Sequence, residues 1–74
     1  MDYKDRIASD PDIMLGKPVI KGTRITIELI LRKLSEGMVI EELLEAYPNL
    51  TKEDIFAALS YSADVISQEK LEET

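Results

Sequence analysis

"VIKGTRITIELILRKLSEG", residues 19–37, holds the change of period on which the fold turns. Up to Ile25 the pattern is one of short extended pieces, with β-branched residues set beside a Lys21-Gly22-Thr23 turn. From Thr26 the period becomes helical. Ile27, Ile30, Leu31 and Leu34 recur at i, i+3, i+4 and i+7, so one face is apolar. Thr26 offers its hydroxyl to the unpaired amides of the first turn, and Gly37 stands just past the last periodic residue, where helices end in left-handed backbone.

Working toward the N-terminus, Asp10-Pro11-Asp12 and Leu15-Gly16-Lys17-Pro18 are turn clusters, and Ile7, Ile13, Val19, Ile20 and Ile25 are the apolar anchors between them. Pro18 has no amide to donate, so its strand begins there or lies at an edge. Gly16 and Gly22 supply turn geometry. Residues 1–25 are therefore expected to form an extended arm with short β-strands.

Toward the C-terminus a second helix follows Ile40, Leu43, Leu44 and Tyr47, with Glu41, Glu42 and Glu45 facing water. Val39 stands where a capping Ser or Thr is expected, which weakens that helix start by ~1 kcal/mol. Pro48-Asn49-Leu50 makes the turn. Thr51 with Asp54 three residues on forms a capping box for a third helix. Its buried face is expected to be Ile55, Phe56, Leu59, Ala63 and Ile66; its outward face is Lys52, Glu53, Ala57, Ser60, Tyr61, Asp64 and Gln68. A three-helix domain over 26–67 results, with a frayed tail over 68–74. A short Pro-Asn turn between the last two helices points to a helix-turn-helix arrangement.

Composition limits the function. Seventy-four residues make one small domain, which buries only about 60% of its unfolded surface. Oligomerisation is the expected source of further core. Cysteine and histidine are both absent, so disulfides and the usual Cys/His zinc sets are excluded. With 45% apolar and 32% charged residues the chain reads as a soluble globular domain. No apolar run approaches the roughly 20 residues of a membrane span, and the opening Met-Asp-Tyr-Lys-Asp is unlike a signal peptide, so a cytoplasmic location is expected.

The net charge of −6 is unevenly spread. Residues 1–33 carry seven Lys/Arg against five acids, net +2; residues 34–74 carry two against ten, net −8. Nucleic-acid binders are normally basic, so any such role must rest on the segment around 17–33.

No catalytic machinery is legible. A Walker A loop needs Gly-Lys-[Ser/Thr] leading straight into a helix, whereas Lys21-Gly22-Thr23 has the order reversed and Pro18 removes an amide. Glu41/Glu42 and Glu53/Asp54 are sequence neighbours that diverge on a helix, and Glu41 and Glu45 share an exposed face. Hydroxyls have no histidine to activate them. The expectation is a non-enzyme without cofactor, metal or small-molecule substrate.

The basic segment has two readings. Lys17, Lys21 and Arg24 on an extended arm can reach DNA phosphates or a minor groove; equally, turns attract lysines that simply stay in solvent. Glu28, Arg32 and Glu36 at i, i+4 and i+8 can neutralise one another, whereas Lys33 has no such partner. On the third helix Lys52, Ser60 and Tyr61 can contact phosphates or bases, but Glu53 and Asp64 repel a phosphate backbone, and Tyr61 can equally serve a dimer contact. The candidate DNA-binding set is Lys17, Lys21, Arg24, Lys33, Lys52, Ser60 and Tyr61.

"GKPVIKGTRIT" (16–26), the Gly37-Met38 pair before the second helix and "EELLEAYPNLTKEDIFAAL" (41–59) together resemble a family of small bacterial and archaeal proteins. It was long called domain of unknown function four-three-three and is grouped with VapB-like antitoxins. The likeness runs from about Ile7 to Ser67. Gly16, Lys17, Pro18, Ile20, Gly22, Thr23, Arg24 and Ile25 match its first signature. Gly37, Tyr47, Pro48, Leu50, Thr51, Asp54 and Ile55 match its second. The resemblance implies a mainly α, homeodomain-like or winged-helix-like helix-turn-helix bundle with a short N-terminal β element. It also implies a homodimer that neutralises a PIN-like ribonuclease toxin and represses its own operon by binding operator DNA. Val39 departs from the family's capping Ser or Thr, and the acidity of 34–74 departs from a major-groove reader. The alternative, from another class, is an acidic protein-interaction module with no DNA role.

Overall fold

The computed structural model of the chain describes residues 2–68. Two short strands, β1 (Ile7–Ala8) and β2 (Val19–Ile20), precede three helices, α1 (Ile27–Ser35), α2 (Ile40–Ala46) and α3 (Lys52–Ser67). The chain is mainly helical with a two-stranded antiparallel sheet, as its period change requires; the expected tail beyond Gln68 lies outside the described residues.

The strands pair Ile7 with Ile20 and Ala8 with Val19. The strand β2 begins directly after Pro18, whose free carbonyl accepts the Ile27 amide at 3.0 Å. The chain then reverses tightly. Thr23 N–H donates to the Ile20 carbonyl at 3.0 Å, and Gly22 between them has φ +82°, the left-handed value that a type II turn needs at its third residue. The Thr23 hydroxyl donates to the same carbonyl and accepts from the Ile25 amide. Val19 bridges to Thr26, so β2 is flanked on both sides. The stretch 16–24 is a structural hairpin leading into α1.

Helix α1 starts at Thr26, whose hydroxyl accepts the Leu29 amide at 3.0 Å. It stops in a Schellman arrangement: Gly37, at φ +100°, donates to Leu34, and Met38 donates to Lys33. Helix α2 has no hydroxyl cap because valine has no acceptor; Glu42 Oε1 instead takes the Val39 amide at 2.9 Å. The Thr51–Asp54 box on α3 is reciprocal, at 3.1 Å both ways.

Ile20, Ile27, Ile30, Leu43, Leu50, Ile55 and Ala58 form the core, each 5% exposed or less. The buried face of α3 differs from the expected one. Ile55 is buried, but Phe56, Leu59 and Ile66 are 44%, 41% and 64% exposed, and Ala63 is exposed with them. Ala57, expected to face outward, is buried. The apolar residues of α3 span more than half its circumference, so period alone leaves its rotation open. Small Ala57 and Ala58 allow the closest approach, and the arm claims the side next to them.

Candidate functional site

The N-terminal arm is fastened along α3 by side-chain contacts. Arg6 Nη1 donates to Asp54 Oδ1 at 3.1 Å, with the Asp54 side chain 10% exposed. Tyr3 packs edge-on against Tyr61, ring centroids 5.5 Å apart. The Asp64 carboxylate near the Tyr3 hydroxyl, helped by burial, pushes the Tyr3 pKa up from the ordinary value of 10.0. None of these pairings has a signal in the sequence. Asp54 reads as a cap, and its second partner lies 48 residues away.

These contacts decide what the candidate cations can do. Lys17 is held by Glu28 at 3.0 Å, and Glu28 also accepts from Arg32 at 3.4 Å. Lys17 first, then Arg32, holds the Glu28 carboxyl below its ordinary value of 4.5. Glu36 makes no ion pair with Arg32 among the described residues. Lys21 and Arg24 are exposed on the hairpin turn, while Lys33 is half-buried near the end of α1. The Lys21 amide donates to the Arg6 carbonyl at 2.8 Å, so one arginine side chain spans from the hairpin turn to the N-terminus of α3, where Lys52 is exposed. Lys21 and Lys52 therefore share an end of the molecule; Lys17 lies with α1. Ser60 and Tyr61 are half-buried, Tyr61 under the arm's Tyr3.

A second feature is apolar. Between α1 and the C-terminal half of α3 runs an open groove of about 540 Å³ floored by Pro18, Ile27, Leu31, Val65 and Ile66, with Glu28, Arg32 and Ser35 along the α1 side. Its ion-paired rim and apolar floor suit an amphipathic segment, whose one face is dry and whose edges are polar.

The third feature is backbone strain. Met14, Leu15 and Gly16 have φ of +51°, +60° and +82° in succession, and Leu15 is 92% exposed. Left-handed backbone at a non-glycine residue costs roughly 1–2 kcal/mol, and the loop's own bonds, Gly16 N–H to the Ile13 carbonyl and Lys17 N–H to the Met14 carbonyl, offset part of it. Neither Met14 nor Leu15 is a residue type that signals such backbone; only Gly16 is.

No three acidic side chains among the described residues converge as a metal site. No helix among them is long and apolar enough to cross a membrane.

Comparison with known proteins places the fold in a family. The family described as "Protein of unknown function (DUF433)" matches residues 7–62. The chain is 36% identical over 59 residues to the uncharacterized protein y4eO of Sinorhizobium fredii (strain NBRC 101917 / NGR234), covering 80% of this chain and 27% of that protein. A crystal structure of a DUF433 member from Anabaena variabilis ATCC 29413 superposes with a TM-score of 0.81 at 32% identity, covering 88% of this chain and 64% of that one. The chain thus spans about a quarter of the first relative and under two thirds of the second.

Proposed function

The chain belongs to the DUF433 family, and from that premise we propose that it is a binding protein, an antitoxin-like regulator that works as a homodimer in the cytoplasm. It holds a segment of a PIN-like ribonuclease toxin in the α1/α3 groove and presents Lys21, Arg24 and Lys52 to operator DNA. The observation that carries the reading is the groove: about 540 Å³ of open, apolar-floored space with a paired-charge rim. The identity of its occupant comes from the family likeness. The DNA half rests on exposed cations that no acidic side chain neutralises among the described residues. Lys17, tied to Glu28, contributes less.

A second reading keeps the groove and drops the DNA. It is favoured by the outer face of α3, where exposed Phe56 and Leu59 offer nothing that reads base edges, which require polar side chains, and by Tyr61 lying under Tyr3.

One pair of measurements separates them. Anisotropy of labelled DNA from upstream of the gene is followed at two salt concentrations, with the unaltered chain and with Lys21→Glu/Arg24→Glu. A repressor gives sequence-dependent binding whose salt slope falls by roughly one for every phosphate-binding cation that the substitutions remove. Alongside, the neighbouring gene's product is captured with the unaltered chain and with Leu31→Glu, which blocks the groove. Capture without any DNA signal selects the interaction module, and absence of both removes the proposal.

A further inference from the structure

Helix α3 carries an apolar stripe that no part of the described chain covers. Phe56, Leu59, Ala63 and Ile66 are spaced 3, 4 and 3 residues apart, the a-d-a-d pattern of a two-helix seam. All four are exposed. We infer that this stripe is the self-association surface of the protein, closed by the same stripe of a second copy lying antiparallel. The inference takes the homodimer of the proposed function as its premise and assigns the surface that makes it.

Three observations select a second copy as the occupant. The first is size. A two-fold axis near Tyr61 sets Leu59 of one copy against Ala63 of the other, and Phe56 against Ile66, so that a large side chain meets a small one at the centre of the seam. Ser60 and Ser62, the residues flanking that centre, are also small, which lets two helices approach within the usual 8–10 Å or so.

The second is charge. A chain of net charge −6 repels its own copies. Yet the stripe contains no acid: Glu53 and Asp64 stand on the polar flank beyond it, and the charged residue in line with it is Lys52. A parallel pair would set Lys52 beside Lys52 of the second copy. The antiparallel pair instead carries each Lys52 to the far end and opposes the two helix dipoles favourably.

The third is extent. Phe56, Leu59 and Ile66 leave 44%, 41% and 64% of their surface in water, and with exposed Ala63 they make a contiguous apolar patch of the kind that marks an association surface. A domain of this size, with nine buried apolar residues among those described, has use for that added burial.

The test is association measured by analytical ultracentrifugation, from about 1 µM to about 500 µM, a range that brackets weak specific dimers. The unaltered chain is compared with Ala63→Glu and with Leu59→Glu, both at exposed positions outside the core and outside the groove lining, and folding is checked by circular dichroism. The expected result is a dimer that dissociates at least ten-fold more readily in either variant while helicity is kept. An unaltered chain that stays monomeric throughout overturns the dimer and its surface together. A dimer unchanged by both substitutions overturns the surface alone and leaves the homodimer standing.

Orientation is read by cross-linking, which a chain without native cysteine allows. An oxidised mixture of Leu59→Cys and Ala63→Cys chains yields mixed cross-linked pairs from an antiparallel seam. In that seam equivalent residues lie beyond the ~7 Å a disulfide spans. Like-with-like pairs alone overturn the antiparallel arrangement, and absence of any cross-link overturns the seam.

Discussion

Asp54→Ala tests the join between the arm and the helical domain. Asp54 uses both carboxylate oxygens: Oδ2 takes the Thr51 amide at 3.1 Å, and Oδ1 takes Arg6 Nη1 at 3.1 Å. Alanine removes a charge-assisted hydrogen bond in a part-buried position, worth about 1.5–3 kcal/mol. It also removes one half of a capping box, worth about 0.5–1 kcal/mol. It does not strand a buried charge, because the Arg6 side chain is 40% exposed and rehydrates; the 3–5 kcal/mol or so of a broken buried pair does not apply. The expected loss is about 2–4 kcal/mol, or roughly 10–30 °C in Tm for a domain of this size.

Urea unfolding followed by helical circular dichroism supplies the number, with Glu53→Ala as the control for helix-end electrostatics alone. Asp54→Asn keeps an acceptor for the Thr51 amide and isolates what Arg6 contributes. Arg6→Ala completes a double-mutant cycle with Asp54→Ala, and a coupling of about 1.5–3 kcal/mol, the worth of the bond the two share, is expected. If Asp54→Ala falls within about 0.5 kcal/mol of Glu53→Ala, the change is an ordinary surface effect and the clasp does not hold. Purely additive losses in the cycle refute the arginine's part in it.

Glu28 titrates below its ordinary value in the folded state through Lys17 and then Arg32, so its stabilising contribution is present above the unfolded carboxyl pKa and lost as pH falls through the folded one. Urea midpoints from about pH 6 down to about pH 3 should therefore fall more for the unaltered chain than for Glu28→Gln, and parallel curves would reject the triad. Tyr3 is shifted the other way, chiefly by Asp64, so its contribution is complete below the ordinary tyrosine pKa and fades as pH rises through the folded value; tyrosinate absorbance should show a late-ionising component that Tyr3→Phe removes. Leu15→Asn should raise stability by about 0.5–1 kcal/mol, since asparagine tolerates φ near +60° better than leucine does, and a drop in stability on chemical denaturation would refute the strain assigned to this loop.

The helices were legible because their ends carry chemistry of their own. Thr26, Gly37, Thr51 and Asp54 act as caps through local hydrogen bonds, and such bonds are written within four residues of sequence. The turn after β2 was legible for the same reason, since Gly22 tolerates the left-handed backbone that other residues avoid and Pro18, fixed in φ and without an amide, marks where the strand begins. What the sequence did not disclose is contact across distance. Nothing near Arg6 points to Asp54, nothing near Tyr3 points to Tyr61, and Lys17 finds Glu28 eleven residues on, across a turn. The rotation of α3 was hidden for a related reason. Phe56, Leu59, Ala63 and Ile66 satisfy helical period as well as Ile55 and Ala58 do, and only packing against α1, α2 and the arm decides which set is inside.

That rotation ties the functional readings together, because α3 has one circumference to divide. Ile55 and Ala58 face the core; Asp54, Tyr61 and Asp64 hold the arm; Val65 and Ile66 close the groove; Phe56, Leu59 and Ala63 continue the apolar surface away from it. A helix so occupied has little polar surface left with which to read a major groove, where side chains must offer donors and acceptors to base edges. Its N-terminal end is another matter, since Lys52 stands there beside the hairpin that carries Lys21 and Arg24. Cations at the edge of a domain contact phosphates and confer salt-sensitive, weakly selective binding. The division therefore predicts which substitutions act on which activity: Lys21→Glu and Arg24→Glu on nucleic acid, Leu31→Glu on the groove's occupant, Ala63→Glu on self-association. In the anisotropy assay, DNA binding should survive Ser60→Ala and fail with the two hairpin charges reversed; the opposite pattern would return α3 to the role of reader and take the apolar stripe with it.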